Sequence, residues 1–264
     1  MGVLNVTPDS FSDGGRWAST DAAIEHGLRL HVQGADLIDV GGESTRPGAT
    51  RVPPAEERAR VLPVIAELAR QGLRISVDTL NGSTARAAAA AGAEIINDVS
   101  GGLADPLMAS VAAETGLTYV AMHWRGHAQQ MDARAVYDDV VAEVRDALAG
   151  RIAALTAAGV QRERIVLDPG LGFAKLSEHN WGVLAHLDAL ADLGLPVMVG
   201  ASRKRFLAAV LPEGASVLER DLATAVVSVL AAQAGAWAVR VHDVSGTRTA
   251  LNVLDRLGST RIAL

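Results

Sequence analysis

Short runs of Val, Ile and Leu recur along the chain, each followed by a longer stretch in which apolar residues return every three or four positions. Runs that are apolar throughout, rather than alternating, are typical of strands buried on both faces. They predict strands at 3–6, 37–40, 74–78, 94–98, 118–123, 165–168, 197–200 and 238–244. The helical patterns between them predict helices at 20–33, 54–71, 83–91, 106–115, 137–158, 179–193, 220–234 and 247–257. Several of these patterns end at a glycine, such as Gly34, Gly72, Gly116 and Gly159, where a left-handed residue can close a helix. Eight strand–helix units in 264 residues come to about 33 residues each, and a (β/α)8 barrel takes about 250 in all. The doubly wound alternative usually has fewer strands and a Gly-x-Gly-x-x-Gly turn after the first strand, which is absent. No Pro/Ser-rich linker or shift of composition divides the chain. The expected fold class is α/β, a single (β/α)8 TIM barrel over residues 1–264 with its active site at the C-terminal ends of the strands.

Composition narrows the partners. A net charge of −6 with no basic run argues against nucleic acid and against an anionic membrane surface. Without cysteine there is no disulfide or thiolate chemistry. Residues 222–239 carry no charge over 18 positions, which is borderline for a membrane span. Gly235 divides that stretch, and Asp221 and Arg240 bound it, so it reads as a buried helix followed by a buried strand. The N-terminus has no basic segment and no long apolar run, and the expected location is the cytoplasm.

Every predicted strand delivers polar groups at the same end, while the opposite ends are short Gly-containing turns. Strand one leads into Asn5 and a loop through Pro8, Phe11, Gly14 and Gly15. That loop is either a turn-rich connector or a lid carrying a lone aromatic. Strand two leads into Gly-Gly-Glu-Ser-Thr-Arg-Pro-Gly at 41–48. Asp78, Asn97 and Asp168 close strands three, four and six. Two carboxylates and an amide together suit a flat heterocycle with an amino-amide edge; each alone could simply cap the next helix. Arg240 and His242 share one strand face and suit phosphate or carboxylate, unless Arg240 pairs with an acid such as Asp243 or Asp221. Arg46 either adds positive charge to that site or ties its loop down. Lys204 lies between Arg203 and Arg205, so either an anionic or electron-rich group sits beside at least one of the three, or all three are solvated surface charges at a helix start with acids near. Phe173, between Gly172 and Ala174, either stacks on a ring or plugs the barrel mouth. There is no Cys, no His-Glu-x-x-His and no EF-hand pattern; Asn5 with loop carboxylates could hold Mg²⁺ through oxygen.

The segments 5–15, 41–49, 76–79, 97–102, 168–173, 200–205 and 240–243 resemble, in order and over essentially the whole chain, the motifs of dihydropteroate synthases. Thr-Pro-Asp-Ser-Phe-Ser-Asp-Gly-Gly and Gly-Gly-Glu-Ser-Thr-Arg-Pro-Gly are the most specific of them, and Met-His-Trp-Arg and His-Asn-Trp look like actinobacterial members. The resemblance implies condensation of 6-hydroxymethyl-7,8-dihydropterin pyrophosphate with p-aminobenzoate, assisted by Mg²⁺, to give 7,8-dihydropteroate and pyrophosphate. It implies catalytic roles for Asp78, Asp168, Lys204, Arg240 and His242. Pterin would be held by Asp78, Asn97, Met122, Asp168, Phe173 and Lys204. Pyrophosphate would be held by Asn5, Arg46, Arg240 and His242, with Asn5 also on the metal. Phe11, Thr45, Pro47, Phe173, Ser202 and Lys204 would shape the p-aminobenzoate site, where sulfonamides compete in this family. Members usually have residues before the first strand, so either the start lies upstream or this barrel has an open base.

Two other functions stay in view. A pterin-dependent methyltransferase would keep Asp78, Asn97 and Asp168 but has no use for the Arg240–His242 pair or the lid. A non-catalytic pterin-binding paralogue should have lost some of Asn5, Asp78, Lys204 or Arg240, and none is missing. Finally, the helix at 220–234 is apolar on nearly all sides, whereas an outer barrel helix normally has a polar face. A homodimer through this helix is expected, as the resemblance also suggests.

Overall fold

The computed structural model describes residues 1–7, 15–43, 51–126 and 132–262. Strands β1 (Gly2–Asn5), β2 (Ile38–Gly41), β3 (Ile75–Asp78), β4 (Ile95–Asp98), β5 (Thr118–Met122) and β6 (Ile165–Asp168) form one parallel sheet in chain order. Strands β7 (Met198–Val199) and β8 (Ala238–Val239) pair with each other. Single bridges, Leu167 to Val197 and Gly2 to Val241, join the two pieces at both edges. At these seams Leu167 N–H donates to Pro196 O at 2.8 Å, and Val3 N–H donates to Val241 O at 3.0 Å. The ring therefore closes as a (β/α)8 barrel, which removes the exposed edges of an open sheet.

Around it run α1 (Gly15–Val32), α2 (Pro54–Arg70), α3 (Gly82–Ala90), α4 (Met108–Thr115), α5 (Val140–Ala157), α6 (Ser177–Ala185), α7 (Asp188–Ala191), α8 (Arg220–Gln233) and α9 (Val244–Ile262). Several boundaries differ from the hydrophobic pattern: α1 begins at Gly15 rather than 20, α9 spans Val244–Ile262 rather than 247–257, and three others shift for plain local reasons. The helix expected from 137 starts at Val140, because the Asp139 side chain accepts from Val141 and Ala142 N–H and caps it there. The helix expected over 179–193 breaks at His186, whose backbone leaves the helical region. The strand expected over 238–244 is regular only at Ala238–Val239, with a single further bridge at Val241, because Asp243 turns the chain into α9 by accepting from Gly246 N–H. No helix among the described residues is long and apolar enough to cross a membrane.

Strand alternation sorts the side chains into two cores. Leu4, Ile38, Val40, Ile75, Val77, Ile96, Tyr119, Ile165 and Leu167 face outward and pack with the helices. Met1, Leu37, Ile95, Val120, Val166 and Met198 face inward and form an apolar plug across the barrel. Next along the same inward faces come Asp39, Ser76, Asn97 and Asp168, all buried. A polar layer thus sits directly on an apolar one. At the base, a cavity of about 290 Å³ is lined by Met1, Leu37, Trp237, Val244 and Arg248 among others, at the N-terminal ends of the strands and away from the polar layer.

Candidate active site

Register brings the inward-facing strand ends together. Asn5 lies opposite Gly41, Gly41 opposite Asp78, Asp78 opposite Asn97, and Met122 opposite Asp168. Across the barrel Arg240 donates from Nε to Asp39 Oδ2 at 2.6 Å and from its terminal nitrogen to Asp78 Oδ2 at 2.7 Å. Asn97 Nδ2 donates to the same Asp39 oxygen at 3.0 Å. Gly200 leaves the β7 wall bare: a Cβ there would lie 3.7 Å from Asp168 Oδ2 and 3.9 Å from the Arg240 Cβ. Asp78, Asn97, Asp168 and Arg240 therefore line one cup.

Two loops complete it. After β6, Asp168 Oδ1 accepts from Gly170 N–H at 2.7 Å, which tightens the turn. Gly170 and Gly172 have φ of +69° and +73°; a Cβ on Gly170 would strike His123 O at 2.4 Å, and one on Gly172 would strike the Lys204 stem at 2.7 Å. These glycines let Phe173 fold over the cup, where Lys204 Nζ lies 3.9 Å from its ring centroid. Buried Lys175 holds the loop from below, its Nζ 2.9 Å from His123 Nδ1 and donating to Gly170 O and Phe173 O. After β7, Arg203 adopts φ +59°, unusual for a residue with a side chain. It is held there by a bidentate pair with Asp221, both contacts at 2.7 Å, and by Thr224 and Arg220 of α8. The helix flank thereby fixes the turn that sends Lys204 inward.

Burial controls the charges. It pushes Asp78 up to about 7 despite Arg240, with Asp39 adding to the rise. It also raises Asp168, against the Gly170 hydrogen bond and Lys204. Lys204 is lowered to about 8 by burial and Arg240, opposed by Asp168 and Asp78. Burial would lower Arg240, but Asp39 and Asp78 outweigh it, so the guanidinium stays charged. His242 is lowered to about 3, first by burial and then by Arg240, and is neutral at pH 7. Ser202 Oγ accepts from the backbone N–H of His242 at 3.1 Å and lies 2.9 Å from its Nδ1, so Ser202 fixes the place of the ring.

The sequence expectations fare unevenly. Asp78, Asn97, Met122, Asp168, Phe173, Lys204 and Arg240 do gather, with Met122 and Phe173 in one apolar cluster beside Leu80 and Val99. Asn5 ends β1 in register with Gly41. Arg240 does pair with acids, but these are Asp39 and Asp78 rather than Asp243 or Asp221, because all three side chains point into the barrel, whereas Asp243 caps the turn into α9. Asp221 takes Arg203 instead. Ser202, expected toward p-aminobenzoate, contacts His242. Phe11, Thr45, Arg46 and Pro47 lie outside the described residues. Asp39 was not expected. Its signal was a charge inside the apolar run Leu-Ile-Asp-Val, two positions before Gly41 and so on the inward face.

No group of three or more His, Asp or Glu side chains that could hold a metal occurs among the described residues. The oxygen of Asn5 at the mouth still fits Mg²⁺, which takes few protein ligands and fills its shell with phosphate and water.

A barrel with an amide, two carboxylates, a lysine and an arginine around one cup, roofed by an aromatic ring, belongs to the class of barrels that bind flat, hydrogen-bonding heterocycles. The family of pterin-binding enzymes matches residues 1–242. Dihydropteroate synthase of Mycobacterium leprae is 51% identical over 259 residues, covering 96% of this chain and 91% of that relative. The Xanthomonas albilineans dihydropteroate synthase structure with 4-aminobenzoic acid superposes with a TM-score of 0.91 at 47% identity, covering 98% of this chain and 92% of that one. The same enzyme in complex with 7,8-dihydropteroate gives 0.88 at 44% identity, with the same coverage of both chains. The chain belongs to the dihydropteroate synthase family.

Proposed function

We propose that this barrel condenses 6-hydroxymethyl-7,8-dihydropterin pyrophosphate with p-aminobenzoate, as its family does, and that the cup is where it does so. The observation that carries the site assignment is the convergence of Asp78, Asn97, Asp168, Lys204 and Arg240 inside one barrel end. The pterin lies flat in the cup, its donor and acceptor edge read by Asp78, Asn97 and Asp168, with Met122 and Phe173 on its faces. Loss of pyrophosphate from the pterin methylene leaves a cation delocalised into the ring. Asp78 and Asp168 stabilise that charge. Arg240 and His242 face the departing oxygens; Asn5 would hold Mg²⁺ there, which supplies further neutralisation of the leaving group. The amine nitrogen of p-aminobenzoate attacks the methylene carbon and then sheds a proton. It is already a nucleophile, so no strong base is required. Phe11, Thr45, Arg46 and Pro47, outside the described residues, belong to the same reading for p-aminobenzoate and pyrophosphate.

The test is release of pyrophosphate by the purified, folded chain with both substrates and Mg²⁺. The expected result is turnover that stops with EDTA and that sulfonamides inhibit competitively with p-aminobenzoate. Folded protein without turnover would refute it. The pterin-dependent methyltransferase reading predicts no pyrophosphate release in this assay.

The reading treats 1–264 as one pterin-binding barrel domain, supported by the closure of β1 on the β8 segment. It also includes a cytoplasmic location, because a highly charged pyrophosphate ester does not cross membranes unaided. A homodimer is part of it too. Leu222, Val226 and Leu230 form a stripe at four-residue spacing on α8 and are 75%, 54% and 58% exposed. Val253 and Leu257 extend it on α9, also more than half exposed, and the two helices pack together. Exposed large apolar residues gathered on two packed helices mark an interface. Val226→Glu with Leu230→Glu is expected to shift the sedimenting species from two chains to one at micromolar concentration. A wild-type monomer in that experiment would count against the dimer.

A further inference from the structure

Asp39 has no contact with the mouth of the cup, yet two of the residues that line the cup are tied to it. It is fully buried. Its Oδ2 accepts from both Asn97 Nδ2 at 3.0 Å and Arg240 Nε at 2.6 Å. A carboxylate can only accept, so the Asn97 amide must turn its NH₂ toward Asp39, and its carbonyl oxygen is turned away. Arg240 is held in the same way, its planar fork pinned between Asp39 below and Asp78 beside it. The apolar plug lies beneath and Ser76 opposite in register, and among the described residues Asn97 and Arg240 are the side chains that donate to Asp39.

We propose that Asp39 is a positioning residue for pterin recognition: it fixes the face of the Asn97 amide and the place of the Arg240 guanidinium. The consequence is a specificity rule. The ring edge at Asn97 must offer a donor to its Oδ1, and a heterocycle presenting an acceptor there is rejected, since the amide cannot flip without pointing its oxygen at a carboxylate. The inference rests on the cup being the pterin site.

A pH signature separates positioning from packing. The charges that act on Asp78 are Arg240 on the β8 segment, Asp39 on β2, Lys204 on the loop after β7 and, through their field alone, Asp98 on β4 and Glu57 on α2. Burial holds Asp78 high, and the Asp39 charge adds to the rise. Removing that charge favours ionisation of Asp78. If pterin binding needs ionised Asp78, its acid limb moves to lower pH. Lys204 is lowered to about 8, on the alkaline side of that limb.

The experiment measures binding of 6-hydroxymethylpterin to the full chain from pH 5 to 8, together with the KM for p-aminobenzoate. For the near-isosteric Asp39→Asn, the expected result is at least tenfold weaker pterin binding at pH 8, a p-aminobenzoate KM within twofold, and an acid limb shifted down. Asp39→Glu keeps the charge and displaces it, and serves if the amide variant fails to fold. It should show the same selective loss with the limb unmoved. Pterin binding within twofold of wild type in a folded variant would overturn the proposal, as would equal losses for both substrates. Wild-type protein that fails to bind 6-hydroxymethylpterin would overturn the site assignment itself, and this inference with it.

Discussion

Arg240→Met is expected to destabilise the barrel by about 3–5 kcal/mol at pH 8, and by clearly less at pH 5. The side chain compensates two carboxylates at once, Asp39 and Asp78, both within hydrogen-bond distance and both buried. Deleting one member of a buried ion cluster leaves uncompensated charge, which costs more than the cluster was worth. The sign of the pH effect follows from Asp78. Its folded value is already raised from 3.8 to about 7, and loss of Arg240, which opposes that rise, lifts it further. A carboxylate held high in the folded state costs nothing below its unfolded pKa and the full amount above its folded one. Acidification therefore relieves the variant, and urea titrations at the two pH values measure the relief. A loss of stability that is flat with pH would refute the argument. Binding should suffer in both ligand classes. Bare pterin loses the alignment of Asp78, and the pyrophosphate ester loses that together with a cation, so the ester is weakened more.

The barrel was legible because its signal is redundant: eight apolar runs, eight helical patterns and polar groups at one end only. Its finer boundaries were set by single capping residues such as Asp139 and Asp243, whose effect is local and leaves the hydrophobic pattern unchanged. Within the site, residues at strand ends were readable and residues within strands were not. Asn97 and Asp98 are adjacent acid–amide neighbours in sequence with opposite fates. Asn97 faces the cup, whereas Asp98 faces the helices and accepts from Tyr119, Ser100 and Gly102. Only the two-residue period of a strand separates them. Asp39 obeys the same rule one layer deeper. Lys175 and His123 were visible as polar residues near strand ends. That they meet, 2.9 Å apart and buried, depends on the fold of the loop after β6 and could not be read from spacing.

The polar layer explains why this barrel binds at one end and is filled at the other. A carboxylate inside a protein needs partners, and here each inward-facing acid is assigned some: Arg240 and Asn97 to Asp39, Arg240 to Asp78, Gly170 N–H to Asp168. The donors are supplied by strands far apart in sequence, β8 to β2 across 201 positions. Stability and recognition therefore depend on the same contacts, and the cup is preorganised before any ligand arrives.

Lys204→Met is expected to lower kcat/KM for the pterin ester by about 10²–10³-fold, the usual cost of losing one preorganised donor in a water-poor site. Lys204 is the cation delivered by the strained Arg203 turn, and it sits between the Phe173 ring and the acids Asp168 and Asp78. Its ammonium can donate to a pterin oxygen or nitrogen while Asp168 and Asp78 accept from the ring's N–H groups. The pH profile identifies it. Burial and Arg240 bring Lys204 down to about 8, against the pull of Asp168 and Asp78, so the protonated donor is lost as pH rises through that value. Wild-type kcat/KM should fall on the alkaline side near pH 8. Buried Lys175 is lowered to about 7 and His242 to about 3, so the substitution at Lys204 itself is what assigns the limb. Lys204→Arg keeps the charge at all accessible pH, and its lower activity should show no alkaline limb below pH 10. A limb that persists in the Arg variant would assign it to another group. A Met variant with near-normal kcat/KM would remove Lys204 from the site.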